Sequence, residues 1–289
     1  MREIIRVESV HMWYQAPKLA PREVLHNVNL TIAQGDFVCV TGQTGCGKST
    51  MLRLILGAEQ PSNGRILIEG ECRDHPDRDR GYVPQKYSLF PDKTVIENVI
   101  FGPLAEKFSF FEFLTPAYRK RRTALVREAS DLLRRMGLRA ADATKYPDQL
   151  SGGMQQRVAI AQALIMRPRI LLMDEAFSAL DQGTRAEMQR LLRGLWAETG
   201  TTILFVTHNI GEALFLGSRV IVLAKSDPEL GSNVSLDLSL AGLQRSENGH
   251  ARHDELTELA RQIEYAAIGA VGTHSDCELA QLGRHEMMS

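Results

Sequence analysis

Two stretches of the sequence carry residue types that could bind phosphate groups and a metal ion. The first is a glycine-rich turn that reads Gly42-Gln43-Thr44-Gly45-Cys46-Gly47-Lys48-Ser49 and lies between an apolar run and a helical run. In such a loop, glycines let backbone N–H groups face phosphate oxygens, and the next helix points its positive end at them. Lys48 would reach the outer phosphates, and the Ser49 hydroxyl would be a ligand of Mg²⁺. The spacing therefore predicts a nucleotide site.

The second stretch is a pair of carboxylates, Asp174 and Glu175, directly after the apolar run Ile170–Met173. Such a run is typical of a buried parallel strand. Ligands of open α/β sheets bind at the carboxyl ends of the strands, so both acids are expected beside the phosphates. Asp174 suits Mg²⁺, which prefers oxygen ligands, and Glu175 is placed to act as a general base on an attacking water.

A third turn, Ser151-Gly152-Gly153, precedes a helix predicted over Gln155–Met166. It is a second helix start that could receive an anion. The chain has one phosphate loop, and that loop already leads into a helix start of its own. A second anion-binding helix start therefore has no phosphate to bind within a single copy. Two copies packed head to tail would place each Ser151 turn over the phosphate loop of the other, which predicts two closed nucleotide sites.

The elements that must position these motifs alternate between short apolar strands and helices, a pattern typical of a largely parallel α/β sheet. Strands are predicted at Ile4–Val10, Leu25–Ile32, Asp36–Thr41, Arg65–Glu69, Ile170–Met173, Thr202–Val206 and Val220–Leu223. Helices are predicted at Ser49–Leu56, Thr184–Thr199 and Ile210–Leu216, and residues 95 to 166 are mostly helical in pattern. Beyond about residue 226 the periodicity weakens, although Asp254–Ile268 can be drawn as an amphipathic helix that packs on the core or on a partner.

Composition narrows the class of protein. The chain has 289 residues, with 34 basic against 35 acidic ones, so it lacks the basic surplus of most nucleic-acid-binding proteins. Its apolar runs are far shorter than the roughly 18–20 residues of a membrane helix, and its first residues lack the apolar segment of a signal peptide. Four cysteines without paired spacing favour a reducing compartment. We therefore expect a soluble intracellular protein.

Together these motifs resemble those of the ATP-binding subunits of ABC transporters, over about Ile4 to Leu223. Six motifs occur in the order typical of that family: Walker A at Gly42–Ser49, the Q-loop glutamine Gln85, the signature at Leu150–Gln155, Walker B at Ile170–Asp174, the D-loop at Ser178–Asp181 and the switch histidine His208. The resemblance implies an α/β P-loop NTPase of the ABC ATPase type, with an antiparallel β flank and a helical subdomain insert. It implies a nucleotide-binding domain over residues 1–225, with the insert at about 86–166, and a C-terminal extension of unknown role over 226–289.

The resemblance also implies the site residues for ATP and Mg²⁺. Glu175, His208 and Lys48 would be catalytic, and Mg²⁺ would be held by Ser49, Gln85 and Asp174. Tyr14 would stack on the adenine, with Trp13 as the alternative. The remaining ATP-binding positions would be Gly42, Gln43, Thr44, Gly45, Cys46, Gly47, Lys48, Ser49, Thr50, Gln85, Ser151, Gly152, Gly153 and Asp181.

The implied partners are a second ATP-binding subunit, which intact motifs allow to be an identical copy, separate transmembrane permease subunits and a solute-binding protein, but no nucleic acid. The subunit would lie peripherally on the cytoplasmic side of the inner or plasma membrane. Sequence around Gln85 and His208 resembles the nitrate/sulfonate/taurine-type importers, which implies uptake of a small anion or of a sulfonate-like or nitrogenous solute. An exporter subunit and a soluble ABC ATPase without a transport role are the alternatives.

Three features leave a choice open. Ala176 follows Glu175 where the family usually has proline, and we expect ATPase activity to survive although the turn that aims Glu175 could be looser. The stretch Phe108–Arg122 is either a solvated helix with an apolar patch or a contact with the membrane partner or lipid headgroups. Cys46 is either a small loop residue or a reactive thiol. The tail residues His250, His253, His274 and Cys277 match no spacing typical of zinc ligands, so we do not expect a metal site there.

Overall fold

The computed structural model describes residues 2–15, 20–86, 88–106, 115–227, 229–240 and 249–268. These residues form ten strands and seven α-helices. The strands are β1 (Glu3–Tyr14), β2 (Arg22–Ala33), β3 (Phe37–Thr41), β4 (Asn63–Ile68), β5 (Glu71–Cys72), β6 (Arg80–Val83), β7 (Ile170–Asp174), β8 (Thr202–Val206), β9 (Arg219–Lys225) and β10 (Ser232–Ser239). The helices are α1 (Lys48–Leu56), α2 (Val95–Ala105), α3 (Pro116–Arg135), α4 (Gly152–Leu164), α5 (Gln182–Thr199), α6 (Ile210–Leu216) and α7 (Gly249–Ile268).

All ten described strands belong to one sheet, in the order β5-β4-β1-β2-β10-β9-β3-β8-β7-β6. Strands β9, β3, β8, β7 and β6 pair in parallel. Strands β5, β4, β1 and β2 pair antiparallel and form the flank. The α/β class with an antiparallel flank is therefore confirmed.

The parallel strands are buried on both faces, which explains their continuous apolar sequence. In β3, Phe37 and Cys39 face a core that contains α2 to α7, while Val38 and Val40 face a second core. That second core contains α1 and also the apolar faces of β1, β2 and β4. Helix α1 therefore shares one core with both halves of the sheet, and the loop that precedes it is fixed between them.

Strand β10 lies inside the sheet, antiparallel to β9 and joined to β2 through Ser232 and Leu25. Strand β10 was not predicted from the sequence, although Val234–Ser239 alternates partly buried apolar residues with exposed polar ones, a pattern typical of a strand with one buried face. The sheet thus continues past residue 225, where we expect the domain to end, and a division of the chain there stays a prediction.

Three helices make up most of the insert. Helix α2 begins with a capping box of Thr94 and Glu97, and α3 begins at Pro116 after the cap Thr115. The fully buried Asn98 bonds the backbone of Phe90 and Lys93, so it fixes the segment that leads from Gln85 into α2.

Helix α7 confirms the amphipathic pattern predicted for the tail. Its Ile263 is fully buried, and Leu259 and Ala267 pack partly buried against the same core. Of the tail residues that could suggest a metal, His274 and Cys277 lie outside the described residues, and only the helical backbone of His250 and His253 is described. Residues 108–114 of the Phe108–Arg122 stretch also lie outside what is described here. Residues 116–122 are the first two turns of α3. No helix in the described ranges combines the length and apolar character needed to cross a membrane.

Candidate nucleotide site

The phosphate loop runs from the end of β3 to the start of α1, and two of its glycines are sterically required. Gly42 has φ 146°, and a Cβ on it would lie 2.1 Å from the Leu223 carbonyl oxygen. Gly47 has φ 93°, and its Cβ would lie 2.7 Å from Leu25 Cδ2. Side chains at these positions would collide with β9 and β2, so glycine is needed for the loop to sit between the two halves of the sheet.

Lys48 is buried and turns back onto its own loop. Its Nζ donates to the carbonyl oxygens of Gly42 at 2.9 Å and Gln43 at 2.8 Å. These bonds satisfy the ammonium without an acidic partner. Its charge therefore stays within the loop, where phosphate oxygens can replace the carbonyls as acceptors.

Ser49 Oγ donates to Asp174 Oδ1 at 2.9 Å and joins the phosphate loop to the end of β7. Burial raises the pKa of the Asp174 carboxyl, and the charge of Glu175 raises it further, while the bond from Ser49 acts in the opposite direction. Two oxygen donors in contact, one of them a carboxylate, are the chemistry that Mg²⁺ binds, so these residues fit the predicted ion.

Glu175 occupies a left-handed backbone conformation, with φ 44°, directly after β7. Its N–H donates to the Val206 carbonyl at 3.0 Å, and its own carbonyl accepts from Ser178 N at 3.1 Å. A non-glycine residue in this region costs of order 1–3 kcal/mol and is commonest at functional sites. These bonds hold the turn, and the buried Ala176 occupies the position where the family usually has proline.

Two further predicted residues converge on the same carboxylate. Gln85 Nε2 donates to Glu175 Oε2 at 3.0 Å. His208 Nδ1 lies 3.5 Å from the same oxygen. The structure therefore places Gln85, Glu175 and His208 together, although they come from three separate segments of the chain.

A polar network that the sequence analysis missed supports His208. The Thr207 hydroxyl donates to Glu212 Oε2 at 2.5 Å and accepts from the backbone N–H of Asn209 at 3.0 Å. Gln189 Nε2 donates to Glu212 Oε1 at 2.9 Å. The sequence feature that could have indicated this network is the helix start Asn209-x-x-Glu212. In the structure, Asn209 Oδ1 accepts from Glu212 N at 3.0 Å.

Ser151 and Asp181 are N-caps of α4 and α5. Ser151 Oγ accepts from Met154 N at 3.3 Å, and Asp181 Oδ2 accepts from Thr184 N at 3.0 Å. The hydrogen bond from the Thr184 backbone lowers the pKa of the exposed Asp181 carboxyl. A Cβ on Gly153 would lie 2.7 Å from Thr184 Cγ2, so the two helix starts are neighbours.

The Ser151 turn is exposed, and within the described residues no hydrogen bond joins it to the phosphate loop of its own chain. Lys48, Ser49, Asp174, Glu175, Gln85 and His208 thus form one cluster, and the Ser151 turn is a separate surface.

Of the two candidate adenine-stacking aromatics, Tyr14 is the one on the side of α1. Its hydroxyl accepts from Arg53 Nη2 at 3.1 Å and donates to Glu59. Trp13 instead stacks on His11, with ring centroids 5.3 Å apart. Both rings are more than a third exposed, so either face could receive a base, but only Tyr14 contacts the helix that follows the phosphate loop.

Cys46 is buried at the centre of the loop. Burial raises the pKa of its thiol, even though the nearby Lys48 ammonium acts to lower it. The structure therefore favours the interpretation of Cys46 as a small loop residue over that of a reactive thiolate.

Comparison with known proteins identifies the family of this chain. A family model described as ABC transporter matches residues 25–178. The chain belongs to the ABC transporter family. It is 43% identical to the bicarbonate transport ATP-binding protein CmpD of Synechococcus elongatus, over 75% of this chain and 74% of that one. It is 35% identical to the aliphatic sulfonates import ATP-binding protein SsuB of Bacillus anthracis, over 90% of this chain and 95% of that one.

A third relative is longer than this chain. The nitrate import ATP-binding protein NrtC of Synechococcus elongatus is 40% identical over 82% of this chain, but the match covers only 34% of that protein.

Solved structures confirm the ABC ATPase fold. A dimeric ATP-binding cassette in a post-hydrolysis state, bound to ADP and phosphate, superposes with a TM-score of 0.68 at 34% identity, over 83% of this chain and 100% of that one. The cbiO1 protein of Clostridium perfringens, part of an ABC transporter complex, superposes with a TM-score of 0.67 at 26% identity, over 91% of this chain. The chain is an ATP-binding ATPase of the ABC transporter type.

Proposed function

We propose that this chain is the ATP-hydrolysing subunit of an importer that takes up a small anion. The proposal rests on the names of the relatives, which state import or transport of nitrate, bicarbonate and aliphatic sulfonates. These solutes share a compact oxyanion group. The cargo of this chain would be a solute of that class.

The clustered residues have separate roles in the hydrolysis of ATP. Glu175 accepts a proton from a water as the water oxygen attacks the γ-phosphorus, and the bond to the β–γ bridging oxygen breaks to release phosphate and ADP. Lys48 exchanges its loop carbonyls for phosphate oxygens and balances their charge. His208, 3.5 Å from Glu175, contacts the γ-phosphate and senses its presence.

Three residues would hold Mg²⁺ beside the phosphates: Ser49 and Asp174 through the oxygens that now bond each other, and Gln85 through its amide oxygen. Bound there, the ion would neutralise charge on the β- and γ-phosphates.

The exposed Ser151 turn supports a dimer. Its hydroxyl and the first N–H groups of α4 form no hydrogen bond with the phosphate loop of their own chain among the described residues, and they would bind the γ-phosphate held by a second subunit. We propose an identical partner copy, with Gly152, Gly153 and Asp181 near the same interface. Separate permease subunits would anchor the dimer at the cytoplasmic face of the membrane, and a solute-binding protein would deliver the anion.

The Glu175→Gln variant of the purified full chain tests the catalytic assignment. We expect hydrolysis to fall about 10²- to 10⁴-fold, while ATP binding persists and ATP converts monomer to dimer. Glu198→Gln on the exposed side of α5 is the matched control and should hydrolyse normally. Hydrolysis that is equally fast in both variants would refute the role of Glu175.

Purification of the chain with its membrane partner tests transport direction. An importer requires that a loaded solute-binding protein stimulate ATP hydrolysis of the reconstituted complex. Stimulation of ATP hydrolysis by a solute supplied on the cytoplasmic side alone would favour an exporter. Recovery of full activity without any membrane partner would favour the soluble ABC ATPase.

A further inference from the structure

We propose that His11, Glu23 and His26 form a site for a divalent transition-metal ion such as Zn²⁺, apart from the nucleotide site. One ligand atom from each residue lies within 4.8 Å of the other two. His11 is on β1, whereas Glu23 and His26 are on β2, so an ion bound there would tie the two strands together.

The distances are close to those that a metal requires. His11 Nδ1 is 3.0 Å from Glu23 Oε1, and His26 Nδ1 is 3.0 Å from both carboxylate oxygens. The two imidazole rings are near-perpendicular, with centroids 4.8 Å apart. Ligand bonds of about 2.0–2.1 Å in a tetrahedron separate ligand atoms by about 3.3 Å. The nitrogen–carboxylate pairs are at 3.0 Å and the two histidine ligand atoms lie within 4.8 Å, so rotations of the three side chains would admit an ion.

The donor set selects the class of ion. Two imidazole nitrogens and one carboxylate suit Zn²⁺ and its first-row neighbours, whereas Mg²⁺ and Ca²⁺ prefer oxygen alone. The charge of +2 on the ion would exceed the single negative charge of the Glu23 carboxylate, so the occupied site would keep a net positive charge. Three protein ligands would also leave one coordination position of the ion open to water. That position lies on the His26 side, where the side chain is 31% exposed, against 19% for His11 and 8% for Glu23.

Surrounding contacts already orient the ligands. The Gly231 backbone N–H donates to Glu23 Oε2 at 3.1 Å, and the indole of Trp13 stacks on His11 at 5.3 Å and 6°. Contacts of this kind around ligands raise metal affinity by fixing their orientation. They also reduce the reorganisation that an incoming ion would demand.

The site adjoins the phosphate loop without belonging to it. Glu23 and His26 flank Val24 and Leu25, the two residues against which Gly47 packs. A bound ion would therefore stiffen the strand on which that glycine rests. None of its three ligands is among the residues assigned to ATP.

Calorimetric titration of the metal-free full chain with Zn²⁺ tests the proposal. We expect one equivalent to be lost in His11→Ala and in His26→Asn, with affinity at that site reduced more than about 100-fold, since changes outside the ligand shell alone cost about 10- to 100-fold. His75→Ala, which removes an exposed histidine outside the cluster, is the matched control and should keep that equivalent.

His26→Asn keeps a neutral N–H donor that can bond Glu23, so loss of metal in this variant need not reflect loss of fold. Unchanged ATP binding and an unchanged melting temperature without metal would confirm that the variant is folded. Zn²⁺ should then raise the melting temperature of the wild type and of His75→Ala only.

Co²⁺ in place of Zn²⁺ gives a second readout that separates this site from the tail. Visible absorption bands without a near-ultraviolet thiolate band are expected, and His26→Asn should remove them. Equal Zn²⁺ binding in wild type and in both cluster variants, or a thiolate band that survives in them, would overturn the proposal. In that case the two imidazoles serve only as hydrogen-bond donors to Glu23.

Discussion

The side-chain amide of Gln85 donates to the carboxylate of Glu175 at 3.0 Å, although 90 positions separate the two residues. Gln85 begins the segment that enters the helical insert, and Glu175 directly follows strand β7. This bond therefore joins the insert to the proposed general base. Movement of the insert would break it and change the surroundings of Glu175, which is a physical route between the nucleotide and the insert.

Replacing Gln85 with glutamate should slow hydrolysis more than replacing it with alanine. The glutamate places a second carboxylate where an amide now donates to Glu175 at 3.0 Å, so an attraction becomes a repulsion between like charges. We expect kcat to be about 10-fold lower in Gln85→Glu than in Gln85→Ala, which removes the amide without adding a charge. Steady-state kinetics at saturating ATP and Mg²⁺ measure both variants, and equal losses would contradict this explanation.

Asp174→Asn should stabilise the nucleotide-free protein and weaken its binding of Mg²⁺. Burial raises the pKa of Asp174 above its ordinary value near 3.8, so the folded state binds its proton more tightly than the unfolded state does. The stability contributed by this group is therefore full at low pH and is lost as pH rises through the folded pKa. At pH 7 the carboxylate is a net cost.

The asparagine variant carries no charge and can still accept from Ser49. We expect a melting temperature about 2–4 °C higher at neutral pH, equivalent to about 1 kcal/mol, and no difference from wild type near pH 4. Thermal melts with and without Mg²⁺ and ATP check both parts. A lower melting temperature of the variant at pH 7 would show that burial of the Asp174 carboxylate is not the main effect of this residue on stability.

Alanine at Gly42 should destabilise the protein more than alanine at Gly45. Both glycines have positive φ, but a Cβ on Gly42 would meet the Leu223 carbonyl oxygen at 2.1 Å, and one on Gly45 would have no neighbour within 4 Å. Gly45→Ala then carries only the backbone cost of about 1–2 kcal/mol. Denaturant unfolding of the nucleotide-free variants measures the difference, and equal losses would mean that β9 moves away easily.

Tyr14→Ala should reduce ATP affinity about 5- to 150-fold, since stacking of a base on an aromatic ring contributes about 1–3 kcal/mol. Trp13→Ala should have little effect, because its ring packs on His11 rather than beside α1. Tyr14→Phe keeps the ring and loses the bonds to Arg53 and Glu59, so it should bind nearly as well as wild type. Equilibrium binding of ATP separates these outcomes, and a larger loss at Trp13 would reverse the assignment.

Much of the site could be predicted from local sequence. The loop from Gly42 to Ser49 and the Asp174-Glu175 pair each depend on a few adjacent residues whose backbone and chemistry are fixed locally. Strands β3, β7 and β8 were predictable for the same reason, since burial on both faces leaves a continuous apolar run.

Other features depend on contacts between distant segments. The position of strand β10 in the sheet depends on its pairing with both β9 and β2. The choice between Tyr14 and Trp13 follows from which face of β1 lies against α1.

The sequence by itself determined which groups do the chemistry, because residue types at short spacing specify a phosphate loop, a carboxylate pair and helix caps. Only the tertiary structure decided that Gln85 and His208 meet on Glu175, that burial raises the pKa of the Cys46 thiol, and that His11 and His26 share one carboxylate. Such convergence is set by the order of strands in the sheet, which hydrophobic pattern alone does not encode.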